Sequence, residues 1–480
     1  LIVEEKRGLL EGEIRTVISS FKSLDNLKVH GKIFSDGASG FPAHGGLNPE
    51  IIQDKIAELF KNLNLDMELS PFPDSVVNNI VDLPGRLPTF CPGCPHRETL
   101  SLLKELRSDL KQKNIDLVTH GDVGCYSLSF LEPFKEMHNL SAMGQGGALG
   151  AGLDLFTENP SVVLMGDSTF FHSGLTDISN SVQAGHDITY ILLDNDNTAM
   201  TGHQMTPASG VSVEGESRPK QKMLEVVKSL GVKEAHEVNP SDRYFYKNML
   251  GEILLESGVK VIVSTKECGL TFHGRQKKEE RKLLNNGVIE EKEFFQINSD
   301  LCENCLACVE MTGCPGLTTT SDAYGQKIAI DPQICVADSY CTKIKACPSF
   351  EKVVVKNYHP TKFQKMDSHK ISFNEEVPEV EGVLVNELIL KEQSWRAVVT
   401  GVGGSGVTTI SRIIAEASKE LKQEAISFKF MDQKGLAQRN GRVTGHLSLH
   451  PEKMAQSTVT PRGRADLLLS PDLLDASMAF

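Results

Sequence analysis

Residues 161–168 read Ser-Val-Val-Leu-Met-Gly-Asp-Ser. Four consecutive apolar residues are too few for a helix and suit a strand buried on both faces, and the Gly166-Asp167 step marks its end. Similar short runs stand at residues 117–119, 189–193 and 259–264, with helical stretches between them. That alternation across residues 89–275 predicts an α/β fold, a doubly wound parallel sheet with helices on both faces. A strand ending in an acidic residue delivers its carboxylate to the carboxyl edge of the sheet, where such folds bind ligands. The next strand runs into Asp194-Asn195-Asp196-Asn197. Asp167 with a group from that second strand end makes a candidate hard oxygen site, suited to Mg²⁺ carrying phosphate oxygens as further ligands. Gly-Asp is also an ordinary turn pair, so a plain turn is the alternative.

A second signal lies between Cys302 and Cys347. The first half is Cys302-x2-Cys305-x2-Cys308-x5-Cys314-Pro315, and the second places Cys335, Cys341 and Cys347-Pro348 at the same offsets. Asp338 stands where the first half has Cys305. Three cysteines at this spacing wrap three corners of a [4Fe–4S] cubane, and in two-cluster ferredoxins the fourth cysteine of each run serves the other cluster. Cys302, Cys305, Cys308 and Cys347 are therefore assigned to one cluster. Cys314, Cys335 and Cys341 are assigned to the other, with Asp338 either a weak, hard ligand or a plain loop carboxylate. A structural zinc site is the rival reading of the module.

The rest of the chain frames these two regions. Residues 1–88 read as a small α/β unit, with a strand at 1–3, helices within 4–19 and 51–63, and a proline-marked linker (Pro71, Pro73, Pro84, Pro88). Residues 276–296 are charged and read as a solvated connector to the cysteine module, 297–357. A polar linker, 358–394, leads to a last unit, 395–480, which restarts with a strand at 397–400, the turn Gly401-Val402-Gly403-Gly404-Ser405-Gly406, and a helix. In that helix Ile410, Ile413, Ile414, Ala417 and Leu421 are expected on one face. The turn is not a P-loop, because no lysine follows at the required offset. It is either an anion site at a helix start or a tight packing turn.

Composition narrows the function classes. A net charge of −13 argues against nucleic acid as the main partner. No apolar run approaches the roughly 18 residues of a membrane span, and no basic-then-apolar leader opens the chain. A cytoplasmic protein without a membrane partner is expected. Eleven cysteines in short-spaced sets favour metal ligation over disulfides in such a compartment. Starting at Leu1-Ile2-Val3 without Met and ending at Ala479-Phe480, the chain reads as an internal piece of a longer polypeptide.

The stretches VLMGDSTFFHSG (163–174) and LDNDNTAMTGHQ (193–204) resemble the thiamine-diphosphate domain of the indolepyruvate:ferredoxin oxidoreductases. So do Cys91-Pro92-Gly93-Cys94-Pro95-His96 and Gly121-Asp122-Val123-Gly124-Cys125, the cysteine module and the 401–406 turn. The resemblance implies thiamine-diphosphate-dependent oxidative decarboxylation of an aryl 2-oxoacid. Coenzyme A would take the acyl group, and electrons would pass through up to three [4Fe–4S] clusters to ferredoxin. By position it implies Asp167, Asn195 and the Asn197 carbonyl as Mg²⁺ ligands. Thr201, Gly202 and Gln204 would lie along the diphosphate and thiazolium, with Gly166 and Ser168 also binding the cofactor. Ser168 replaces the glycine usual there. Gly144, Gly146 and Gly147 would let backbone approach the cofactor, and His172 would face substrate or cofactor.

On the same resemblance, Cys91, Cys94, Cys125 and Cys268 hold a third [4Fe–4S] cluster, although by spacing alone Cys91 and Cys94 also suit zinc or a redox pair. The last unit would be a gamma-type domain tied to coenzyme A turnover, with Lys434, Gln438 and Arg439 matching it. The glutamate that acts on the aminopyrimidine belongs to a pyrimidine-binding domain that the family carries upstream. The chain alone is therefore expected not to turn over, and an oligomer is expected. Two rival classes are a ferredoxin-like electron carrier without catalysis, which needs no Asp167 or Asn195, and a non-redox thiamine decarboxylase, which needs no clustered cysteines.

Overall fold

The computed structural model describes residues 1–65, 87–359, 394–419, 426–434, 441–452, 457–461, 463–477 and 479. Its centre is a six-stranded sheet of β1 (Val118–Gly121), β2 (Asn139–Leu140), β3 (Ser161–Gly166), β4 (Ile188–Asp194), β5 (Glu234–Val238) and β6 (Lys260–Thr265). The strands lie in the order β2-β1-β3-β4-β6-β5, and every pairing is parallel.

Side chains alternate across the sheet with the period of two that a strand imposes. Val162, Leu164, Ile191, Leu193 and Ile262 enter one core, which Leu100, Leu103 and Leu106 of the helix His96–Lys111 close. Val163, Met165, Tyr190, Leu192, Val261 and Val263 enter a second core on the other face, with Ile178, Met223 and Val227. Each fully buried aliphatic side chain contributes roughly 1.5–3 kcal/mol. Two closed faces of this kind are what hold a parallel sheet together. Chain order reverses between β1 and β3, so the carboxyl ends of these two strands, Gly121-Asp122 and Gly166-Asp167, flank the crevice of a doubly wound sheet.

The charged stretch expected as a connector is instead structured. The helix Gly269–Asn286 runs through it, and β7 (Ile289–Ile297) follows. Its lysines, glutamates and arginines are good helix formers. Lys292 reaches back 2.8 Å to Glu280 and joins helix to strand. In the cysteine module, β8 (Leu317–Asp322) and β9 (Gly325–Ile330) form a hairpin, and β10 (Phe350–Tyr358) pairs antiparallel with β7.

At the start of the chain, residues 1–3 join through the Ile2 N–H and the His30 carbonyl rather than as a sheet strand. The unit is built on the helices Leu9–Ser19 and Pro49–Asn62 around Phe34, Phe41 and Leu59. In the last unit, β11 (Trp395–Val402), β12 (Ile426–Lys434), β13 (Arg442–Pro451) and β14 (Leu467–Leu469) lie in the order β12-β13-β11-β14. The packed face of the helix Val407–Lys419 carries Val407, Ile410, Ile414 and Ala415. Ile413 and Ala417, expected there, are exposed, because Ala415 rather than Ala417 continues the stripe. Pro71, Pro73, Pro84, Leu421, Gln438, Arg439 and most of the 358–394 linker lie outside the described residues, as does the side chain of Lys434.

Candidate active site at the sheet edge

Asp167 begins the turn that leaves β3, and the β3–β4 register pairs Gly166 with Leu193. The end of β4 therefore stands beside Asp167. The Asp167 side chain is 3 % exposed. One oxygen accepts the Ser168 N–H at 2.6 Å, and the other, Oδ2, is buried without a partner. Burial pushes this carboxyl up to about 7, with Asp194 and Asp196 adding to the effect. A buried, unpartnered carboxylate oxygen costs free energy unless a cation or proton meets it. Ser168 and Thr198 are joined hydroxyl to hydroxyl, so the two strand ends are tied together.

Asn195 is buried and directed inward. Its Nδ2 lies 3.2 Å from His96 Nε2, and its Oδ1 accepts the Asn197 N–H at 3.3 Å. The Asn197 side chain is held by His203 and Thr271, and its carbonyl accepts the Ala199 N–H at 2.9 Å, leaving that oxygen a second lone pair. Beyond it the chain turns back through a Thr198–Gln204 bridge. Thr201 and Gln204 bond each other at 2.7 Å, and Gly202 between them has φ +125°. Thr201, Gly202 and Gln204 are exposed. His172 is exposed too, one helical turn past Asp167, with Nδ1 3.1 Å from Ser173 Oγ.

The glycines serve close packing within the chain. A Cβ on Gly144, whose φ is +81°, would sit 1.7 Å from Ser173 Oγ. On Gly146 it would meet the Gly121 carbonyl at 3.0 Å, on Gly147 the Asp177 carboxylate at 2.4 Å, and on Gly166 the Tyr126 ring at 2.9 Å. Asp122, fully buried, accepts the N–H groups of Gly144 and Gly146 and so pins that loop beside β3.

Cys91, Cys94, Cys125 and Cys268 line one cavity, together with His96 and Asn195. The Cys268 N–H donates to the Asn195 carbonyl at 3.1 Å, which couples the cavity to the strand end. Burial raises the Cys94 thiol well above its ordinary value, with Cys91 and Cys125 adding to it. Burial likewise pushes Cys125 up to about 12, with Cys91, Cys268 and Asp167 close enough to contribute. All eleven cysteines lie among the described residues, and none forms a disulfide.

The module brings its cysteines together in two crossed sets. Burial raises Cys308, and its thiol neighbours are Cys347, Cys302 and Cys305. Burial pushes Cys341 up to about 12, with Asp338, Cys314 and Cys335 around it. The duplication extends to the backbone. Asn304 and Leu306 have φ +51° and +61°, and their counterparts Ala337 and Ser339 have +54° and +62°. Asp338 accepts from Arg97 Nη2 and from the Tyr340 N–H, both at 3.2 Å. Among the described residues, no group of three or more His, Cys, Asp or Glu is positioned to hold a metal ion as it stands.

A model of the thiamine pyrophosphate enzymes, C-terminal TPP binding domain, matches residues 122–263. Indolepyruvate oxidoreductase subunit IorA of Methanothermobacter thermautotrophicus is 29% identical over 349 residues, which is 73% of this chain and 51% of that one. Its namesake in Archaeoglobus fulgidus is 30% identical over 266 residues, 55% of this chain and 39% of the other. The chain is similar to subunit IorA over 73% of its length. It spans about half the length of the curated relatives it matches. The 2-oxoglutarate:ferredoxin oxidoreductase of Magnetococcus marinus, solved with 2-oxoglutarate, coenzyme A and succinyl-CoA, is 17% identical with a TM-score of 0.35. That likeness covers 43% of this chain and 76% of the other.

The segment that matches the thiamine pyrophosphate enzyme model includes Asp122, Cys125, Asp167, Asn195 and the 197–204 loop. The motif-based resemblance and the α/β parallel sheet agree with these findings. Sequence gave His96 only as the last residue of the Cys91–His96 motif, without a role, and did not single out Arg97 or Tyr126. All three sit beside cysteines (Cys94 or Cys125), and the polar pair directly after Cys94-Pro95 was the available signal. No helix among the described residues is long and apolar enough to cross a membrane.

Proposed function

We propose that this chain provides the diphosphate-binding side of a thiamine-diphosphate site and an iron–sulfur relay leading away from it, within a 2-oxoacid:ferredoxin oxidoreductase. The reaction is oxidative decarboxylation of an aryl, indolepyruvate-like 2-oxoacid. Coenzyme A takes the acyl group, and ferredoxin takes two electrons, one at a time. Asp167 and the Asn195 amide, with the Asn197 carbonyl, hold Mg²⁺. Support comes from the donor set, which is all oxygen, and from Asp167 Oδ2, which lacks a partner. Thr201, Gly202 and Gln204 border the diphosphate, with Gly144, Gly146, Gly166 and Ser168 packed behind, and His172 faces substrate. When bound, thiamine diphosphate supplies the carbon nucleophile and electron sink that a 2-oxoacid decarboxylation requires.

Cys91, Cys94, Cys125 and Cys268 hold the first cluster. Cys302, Cys305, Cys308 and Cys347 hold a second. Cys314, Cys335 and Cys341 hold a third, with Asp338 at the second position of its repeat, where the first half has Cys305. Soft thiols gathered around an enclosed space suit iron–sulfur ligation. The observation that carries the whole reading is that Asn195 belongs to both places at once: it directly follows β4, whose end stands beside Asp167, and it lines the four-cysteine cavity. A pyrimidine-binding domain of the same enzyme, in an oligomer, completes the catalytic unit.

Anaerobically purified full-length enzyme is expected to contain thiamine diphosphate and about twelve iron atoms per chain of this type, the loading of three cubanes. Adding a 2-oxoacid should produce a reduced-cluster electron paramagnetic resonance signal. Iron without thiamine would point to a plain electron carrier and overturn the reading. Thiamine without iron would point to a non-redox decarboxylase.

A further inference from the structure

Arg97 occupies a position that ordinary packing does not account for. It is 1 % exposed, in the first turn of the helix His96–Lys111, where a cation opposes the helix dipole. Burying a guanidinium there is costly unless anions surround it. One ion pair is present, Nη2 to Asp338 at 3.2 Å, and the guanidinium lies 4.7 Å over the Tyr340 ring. Its Nε and Nη1 are buried without partners. Both Asp338 and Tyr340 belong to the cysteine module, so the side chain crosses from the sheet domain into it.

The surroundings on both sides are thiols. Arg97 lines the cavity of Cys314, Cys335 and Cys341, and it follows Cys94 by three residues. Burial opposes its charge, yet Asp338, Cys314, Tyr340 and Cys94 together raise the guanidinium above its ordinary value. The two cysteine sites are also in van der Waals reach. A Cβ on Gly93, between Cys91 and Cys94, would stand 3.0 Å from Val336 Cγ2, next to Cys335.

We infer that Arg97 is a shared cation wedged between two anionic cysteine sites: it raises the reduction potential of the Cys314–Cys335–Cys341 cluster and holds Asp338 as its counter-ion rather than as an iron ligand. The inference rests on the iron–sulfur reading above. A thiolate-held cluster becomes more negative when it takes an electron, so a fixed positive charge in a dry site favours the reduced form. The two unpartnered nitrogens, with three N–H groups between them, are the donors that such a cluster, with its sulfurs, would satisfy. Asp338, already accepting from Arg97 and from the Tyr340 N–H, partly offsets that charge. Arg97 acts through the cluster and is a positioning residue.

The test uses full-length holoenzyme, purified without oxygen, in three variants: Arg97→Gln, Arg97→Lys and Asp338→Asn. Iron per chain and midpoint potentials are read by redox titration followed with electron paramagnetic resonance. Arg97→Gln should make reduction of the third cluster at least tenfold less favourable, a shift of 59 mV or more toward negative potential for a one-electron couple. Arg97→Lys should recover most of that shift. Asp338→Asn should keep full iron and move the potential the opposite way.

Should Arg97→Gln fail to accumulate, the opposite-signed shift in Asp338→Asn still decides the matter. Full iron with unmoved potentials in the variants would overturn the inference while leaving the cluster reading standing. Loss of iron in Asp338→Asn would make Asp338 a ligand and also overturn it. A wild-type enzyme without iron would remove both readings together.

Discussion

Asn195 Nδ2 lies 3.2 Å from His96 Nε2, so the end of a central strand and the start of the helix after Cys94 share one buried hydrogen bond. Burial lowers the imidazole to about 4, which leaves it neutral at pH 7 with a lone pair for Nε2 to offer. His96→Ala removes the acceptor and strands a buried amide, at a cost of about 1–3 kcal/mol. Urea denaturation of the single variants and of the double variant with Asn195→Ala should give a less-than-additive loss. Additive losses would show that the contact is not a coupling.

Asp167 lends itself to a different measurement. Asp167→Asn keeps the shape and removes the charge, so Mg²⁺-dependent binding of thiamine diphosphate to the full enzyme should fall at least a hundredfold in calorimetric titration, equivalent to about 2.7 kcal/mol. The same variant without cofactor should melt no lower than wild type, because an unpartnered buried carboxylate is being removed.

Asp177 provides a pH test away from both the oxygen site and the cysteines. Burial, with Asp122 nearby, pushes its carboxyl up to about 6. The folded protein therefore binds this proton more tightly than the unfolded chain, and the contribution is present at low pH and lost as pH rises from about 4 to about 6. Asp177→Asn should relieve the cost above that window. We expect roughly 1–2 kcal/mol of added stability at pH 7 and little change at pH 4, after discounting the shift for partial exposure.

Gly93 tests the seam between the sheet domain and the cysteine module. Its φ is +73°, and a Cβ would meet His273 Nε2 at 2.6 Å as well as Val336. Gly93→Ala should cost about 1–3 kcal/mol through backbone strain alone. Limited proteolysis should then cut more readily around residues 297–357 than in wild type. Unchanged protection would mean that the seam is held elsewhere.

The central sheet was readable because each of its inner strands is a run of residues buried on both faces, as at 161–166 and 188–194. The edge strand Glu234–Val238 was not, because it buries Ala235 and Val238 and exposes its glutamates. The helix Gly269–Asn286 escaped notice because its middle, residues 275–282, is an unbroken charged and polar run, which looks the same for a solvated helix and a loop. Cysteine spacing marked the two local loops, 302–308 and 335–341, and the two-cluster ferredoxin pattern suggested how Cys314 and Cys347 cross between them. It could not give Arg97 with Asp338, because 241 residues separate the pair and neither carries a signature alone. Asp167 and Asn195 stood out as strand ends, whereas His96 became meaningful only when the fold brought its helix to the same edge.

The left-handed residues on either side of Asp338 match those on either side of Cys305 one for one. The curvature that carries a ligand inward is thus written into the main chain, not imposed by whatever atom the side chain ends in. For protein engineering this makes position 338 a socket. Asp338→Cys exchanges the fitting without reshaping the mount, and the same loop can be asked to present oxygen, sulfur or nothing at all.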